Sequence, residues 1–265
     1  MINLFKKLRI AYGIILISVL IIYIVDIIRN ILLGASIERT LQLTLGTFSL
    51  LFACVLVFLV IARNKYNKIL SILNDECDAV KFVNEIFPLS QKTTSFNIMM
   101  NVRLNLAAGY INLGDFAQSN KVLNDIDAKR LVGEMKYAFL LHKASVLFNE
   151  NNILAAEQTL AYINNTIYDS HLTNIAEKRI LDSYNLFAAV INIEKNIYDG
   201  AEEVFRYNLD FSDNLIRKVN ANWNLAKLYQ KQNRVQEAKS CLEFVVEHGN
   251  TLHFATLARQ QLEQI

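Results

Sequence analysis

WNLAKLYQKQNRVQEA, Trp223 to Ala238, reads as a helix, a polar break at Gln232-Asn233-Arg234, and the start of a second helix. Leu225, Ala226 and Tyr229 share one face of the first helix, because residues three and four apart are neighbours on a helix surface. Ala238 and, just past this stretch, Leu242 share a face of the second. The pattern predicts a helical hairpin, and one hairpin cannot bury its own apolar face.

The same order recurs three times upstream. Leu106, Ala107 and Tyr110 precede the turn Gly114-Asp115-Phe116, with Ser119 and Leu123 after it. Ala144 and Leu147 precede Asn151-Asn152-Ile153, with Ala156 and Leu160 after it. Ala189 precedes Asn196-Ile197-Tyr198, with Ala201 and Phe205 after it. The first-helix small residues Ala107, Ala144, Ala189 and Ala226 are spaced by 37, 45 and 37, and the second-helix small residues Ser119, Ala156, Ala201 and Ala238 keep the identical spacing. Two helices of a hairpin cross closely only where small side chains meet. Gly and Asn suit the turn because they adopt left-handed backbone cheaply. One proline and eight glycines in 265 residues also favour long helices over a turn-rich β fold.

This order resembles the tetratricopeptide repeat family. Ala221 to Gly249 carries the resemblance best, through Trp223, Leu225, Ala226, Tyr229, Ala238, Leu242 and Val245. The first unit, at 100–126, carries it through Gly114-Asp115-Phe116, whereas Leu147 and Asn192 stand where the second and third units would have the tyrosine. The spacings exceed the family's period of about 34, so the connections are longer. The resemblance covers residues 100–250, and 251–265 reads as a closing helix with Leu252, Ala255, Ala258 and Leu262 inward. It implies an all-α, TPR-like α-solenoid of four hairpins plus a capping helix over 98–265.

The resemblance further implies an inner face lined by the first helix of each hairpin. The first unit would give Asn101, Leu104, Ala108, Ile111 and Asn112, and the second Ala138, Leu141, Ser145, Phe148 and Asn149. The third would give Ser183, Leu186, Val190, Ile193 and Glu194, and the fourth Asn220, Trp223, Lys227, Gln230 and Lys231. The first three sets contain no Lys or Arg, unlike family members that clamp a C-terminal carboxylate. Their apolar members suit an amphipathic helix or peptide of a partner protein. The same groove could instead be filled by this chain's own 66–87 helix or its C-terminal helix.

Residues 1–65 differ in kind. Leu41 to Ala62 is 22 residues without a charge, long enough at about 1.5 Å per residue to cross a hydrocarbon core of roughly 30 Å. Ile10 to Leu33 forms a second apolar run, broken only by Asp26 and Arg29, which could pair three residues apart. The run exceeds the apolar core of a signal peptide, so an uncleaved helix is expected. Together the two predict a transmembrane hairpin over 1–65, joined at Gly34 to Thr40, with a connecting helix at 66–87 ended by Pro88 and a linker to 97. Lys6, Lys7 and Arg9 precede the first span and Arg63, Lys65 and Lys68 follow the second, which puts both termini in the cytoplasm of a plasma (inner) membrane protein. Gly46, Ser49 and Ala53 form a small-residue stripe for helix packing, either against the first span or against another membrane protein.

Residues 1–65 hold seven basic and two acidic side chains, while the whole chain is net +2, so the remaining residues are net −3 and give no basic footprint for nucleic acid. Cys54, Cys77 and Cys241 have no metal or disulfide spacing, and no glycine-rich phosphate loop occurs. His142, His171, His248 and His253 show no ligand or nucleophile spacing, and Asp75, Glu76 and Asp78 read as a solvated face. No cofactor and no catalysis are expected. The expectation is a membrane-anchored scaffold or adaptor for a protein or peptide partner, membrane-associated itself. The alternatives are a subunit docking through its transmembrane hairpin and a peptide-responsive regulator.

Overall fold

The structure, a computed structural model, describes residues 2–34, 37–93, 95–168 and 172–264. Ala35 and Ser36 of the expected link, and His171, lie outside them. Among the described residues every regular element is helical and no strand occurs, so the chain is all-α. It divides into two compact units, Met1–Lys68 and Ile69–Ile265.

The first unit contains α1 (Ile2–Leu32) and most of α2 (Ile37–Asn74). Among the described residues one segment, Thr44–Asn74, is long and apolar enough to cross a membrane, with a mean hydropathy of 2.7 over its most apolar stretch and none of that stretch buried. The half-buried face of α2 runs through Thr44, Thr47, Leu51, Cys54, Val55 and Phe58. Tyr23 of α1 reaches this face, its hydroxyl 3.1 Å from Thr44 Oγ1. Gly46, Ser49 and Ala53 are exposed instead, and a Cβ built at Gly46 meets nothing within 4 Å. The stripe is turned away from α1, which corrects the expectation that it packs there: α1 meets α2 through the threonine face. Asp26 and Arg29 form no ion pair among the described residues.

The second unit begins with the end of α2, where Ile69, Ile72 and Leu73 are buried. The expected single helix over 66–87 is two helices. The backbone turns left-handed at Cys77 (φ 51°), Asp78 caps the next helix by accepting from Lys81 N–H, and α3 runs Ala79–Lys92. Pro88 lies inside α3 and does not end it. One further turn follows, where Ser90 Oγ donates to the Phe87 carbonyl at 2.7 Å and Thr93 Oγ1 to that of Leu89 at 2.9 Å. α3 packs on the next helix at Gly109, where a Cβ would fall 2.8 Å from Phe82 and Val83 side-chain atoms.

Four helix pairs follow: α4 (Phe96–Leu113) with α5 (Phe116–Asn124), α6 (Glu134–Asn149) with α7 (Ile153–Thr166), α8 (Asn174–Glu194) with α9 (Ala201–Phe211), and α10 (Leu215–Lys231) with α11 (Val235–His248); α12 (His253–Leu262) comes last. The members of each pair pack together, and α4, α6, α8 and α10 pack in series. The turns share one geometry. Gly114, Asn151, Asn196 and Asn233 all have positive φ, between 60° and 75°. The residue after each donates its N–H five residues back, to Tyr110, Leu147, Asn192 and Tyr229 carbonyls at 2.8–2.9 Å. Each bond satisfies a carbonyl at a helix C-terminus that would otherwise lack a partner. In the third pair, α9 starts only at Ala201, so the turn is longer there.

All eight small residues are buried: Ala107, Ala144, Ala189, Ala226, Ser119, Ala156, Ala201 and Ala238. In the first pair the contact is direct, with Ser119 Oγ donating to the Ala107 carbonyl at 3.1 Å. The last helix returns to the first pair, since α12 packs on α4 as well as on α10. His253 lies edge-on to Phe116, and a Cβ at Gly114 would fall 2.6 Å from the His253 ring. Thr251 accepts from Val80 N–H and donates to Asp78, and Asn250 Nδ2 donates to the Glu76 carbonyl, fastening the α11–α12 turn to the start of α3.

Enlarging the crossings should therefore destabilise the second unit. Ala144→Leu and Ala226→Leu are each expected to cost about 1–3 kcal/mol by overpacking, measured by denaturant titration of residues 66–265, while the exposed Leu154→Ala changes little. An unchanged midpoint for both alanine variants would mean that the helices do not meet at these positions.

Candidate functional site

The inner helices converge on a cavity of about 430 Å³ lined by Asn74, Asn101, Leu104, Asn105, Glu134, Met135, Ala138, Leu141, His142, Arg179, Ile180, Ser183 and Arg217. Repetition explains its lining. Asn101, Ala138 and Ser183 stand at one repeat position, and Leu104 with Leu141, Asn105 with His142, and Glu134 with Arg179 stand at others, each separated by the same 37 or 45 residues as the buried alanines. Met135, Ile180 and Arg217 form a further set. Helices of one phase, packed in series, therefore present equivalent side chains to one space.

The lining mixes apolar side chains, Leu104, Met135, Leu141 and Ile180, with polar and charged ones. Arg179 donates to both carboxylate oxygens of Glu134 at 2.9 Å, a half-exposed pair that contributes little stability. Arg217 makes no ion pair or hydrogen bond among the described residues. Asn105 Nδ2 donates to Asn101 Oδ1 at 3.0 Å. Burial pushes the His142 imidazole down to about 4, so it is neutral at physiological pH.

The other expected groove residues fall in three places. Ile193 and Trp223 are buried in the interior, and Leu104, also buried, shows only its edge to the cavity. Trp223 stacks on Phe254 of α12 at 5.5 Å, and Gln230 donates to Gln261 at 3.1 Å, so α12 covers this part of the fourth pair. Lys227 and Lys231 are both held by Glu194. Burial opposes ionisation of Glu194, but these two lysines outweigh it and lower its pKa. Ile111, Leu141, Ser145, Phe148 and Leu186 are half-buried, with Phe148 edge-on to Phe187 at 5.6 Å, and Asn149 is exposed.

Arg179, Arg217, Glu134 and Asn105 were not among the expected groove residues because they lie one turn away from the positions the family resemblance supplies, and Asn74 lies on α2, outside the repeats. Extending the 37- and 45-residue offsets to every inner-helix position would have paired most of them. Among the described residues, no three His, Cys, Asp or Glu side chains come together as a metal site.

A second polar cluster ties the third pair to the fourth. Glu202 accepts from Tyr229 Oη at 2.7 Å, Arg234 Nη1 at 2.8 Å and Arg206 Nε at 2.9 Å, and the Arg234 guanidinium lies 4.0 Å over the Tyr229 ring. Burial works against the Glu202 carboxylate, but the hydrogen bonds from Arg234, Tyr229 and Arg206 prevail and hold it at about 2. Burial and then the Glu202 hydrogen bond push Tyr229 up to about 12. The cluster joins helices of the third and fourth pairs, so we assign it a structural role.

No family model, curated protein or solved structure matches the chain.

Two acid-side transitions are expected. His142 has a folded pKa of about 4, below its ordinary 6.5, so the unfolded chain binds the proton first and stability falls as pH drops from 6.5 to 4. Glu202 is held at about 2, below its ordinary 4.5, so the stability it contributes is present above 4.5 and lost as pH falls towards 2. Unfolding titrations of His142→Asn should flatten the first decline, on the order of 1–3 kcal/mol, and Glu202→Gln the second. A first decline unchanged in His142→Asn would show that another group causes it.

Proposed function

We propose that this chain is a membrane-anchored scaffold or adaptor whose TPR-like helical array binds a helix or peptide of a membrane-associated partner protein. α1 and α2 act as a two-span hairpin, at 10–33 and 41–62, with both termini cytoplasmic. This reading is supported by the apolar character of both helices and by Lys6, Lys7 and Arg9 on one side and Arg63, Lys65 and Lys68 on the other. The buried small residues and the four left-handed turns support the solenoid reading.

The observation that carries the proposal is the convergence of equivalent inner-helix positions on one partly apolar cavity. α12 covers the fourth pair at Trp223 and Gln230, which supports a partner surface on the first three, around Ile111, Ser145, Phe148, Asn149, Leu186 and the cavity-lining Leu141. A photocrosslinker at Ser145 in native membranes should trap one discrete partner band, and the same probe at exposed Leu154 should not. Leu141→Glu should abolish the band without lowering the unfolding midpoint by more than about 1–2 kcal/mol. A band that persists at full yield would remove the inner face as the site.

A second reading is favoured by Gly46, Ser49 and Ala53, whose exposed stripe leaves room for a helix of another membrane protein. In that case Gly46→Ile would release the partner while residues 66–265 alone fail to capture it. Retention of the partner by 66–265 alone would exclude this second reading.

A further inference from the structure

We propose that the open cavity between α4, α6, α8 and α10 binds a small amphipathic monoanion, a carboxylate on an apolar body of about four to six carbons. The charge balance points to one negative charge. Arg179 is paired with Glu134, both hydrogen bonds coming from Nη2, which leaves Arg217 as the cavity-lining cation with no partner among the described residues. A half-buried guanidinium gains most from a carboxylate, which it can grip with two parallel hydrogen bonds. Asn74, Asn101 and Asn105 add amide groups to the lining. Leu104, Met135, Leu141 and Ile180 add apolar lining, which a bare inorganic anion would leave unused.

The volume of about 430 Å³ holds such an acid together with water. A second negative charge would find only Arg179, already committed to Glu134, and would meet the Glu134 carboxylate. Asn74 is the last residue of α2, so a bound acid touches the end of the helix whose earlier turns form the apolar Thr44–Asn74 segment. The acid would occupy the cavity on which the scaffold reading also draws, through Leu141, but it needs no protein partner, so its binding can be measured whether or not a crosslinked partner is found.

The test uses the full-length protein in lipid nanodiscs, titrated calorimetrically with 4-methylpentanoate and with its uncharged amide. The acid is expected to bind saturably and about tenfold or more tightly than the amide, as a charge-assisted pair requires. Arg217→Gln should bring the acid to within twofold of the amide. Asn105→Asp, which adds a negative charge to the cavity, should cause a comparable loss and serves if Arg217→Gln does not fold. Equal binding of acid and amide, no saturable binding of either, or full affinity in a folded Arg217→Gln protein would overturn the proposal. So would capture of the carboxylate end of Ala-Ala-Leu without capture of the free acid, because the ligand would then be a peptide terminus.

Discussion

How closely two helices can approach is set by the side chains at their crossing, and everything in the second unit depends on that limit being met. Eight small residues sit at the crossings, all of them buried. A left-handed residue at each turn reverses the chain within a few positions and brings those small residues opposite one another. The two features need each other. Without the tight reversal Ser119 would not reach the Ala107 carbonyl, and without the small residues the reversal would force apart helices that have nowhere else to bury their apolar faces.

Repetition then creates the cavity as a by-product of packing. Once α4, α6, α8 and α10 stand side by side in one phase, residues at equivalent positions must face the same space. The array does not continue open-ended. α12 packs back on α4, and the Asn250-Thr251 turn bonds to the start of α3. This closure hides Trp223 and leaves the polar and apolar lining around Arg217, His142 and Leu141 as the candidate surface. Ionic groups divide by use. The Glu202 cluster gathers three charge-assisted hydrogen bonds and joins two helix pairs, whereas Arg217 makes no hydrogen bond or ion pair among the described residues.

Helix content, the eight crossing residues and the turn positions were legible in the sequence because they obey local rules. A period of three to four residues marks a helix, and Gly or Asn marks a left-handed turn. The break at Cys77 was not legible, since cysteine carries no preference for positive φ, and Pro88 misled because a proline inside a helix costs one backbone hydrogen bond without always ending the helix. Which face of α2 meets α1 was not legible either, since the small-residue stripe allowed packing on α1 or on another membrane protein. Small residues permit close approach but do not require it, and Tyr23 meets Thr44 on a different face.

By itself, then, the sequence determined the all-helical class, the repeat spacing and the small residues at the crossings, because each is a property of neighbours along one or two helices. Which inner residues are free and which are covered was decided only by tertiary structure. Ile193 and Trp223 look like groove residues by position, yet one lies in the core and the other under Phe254. Arg179 and Arg217 look like solvated charges, yet both border the cavity. The physical reason is that exposure depends on how many turns separate a residue from the next helix in space, and that distance is fixed only when the whole array packs and its last helix closes on its first.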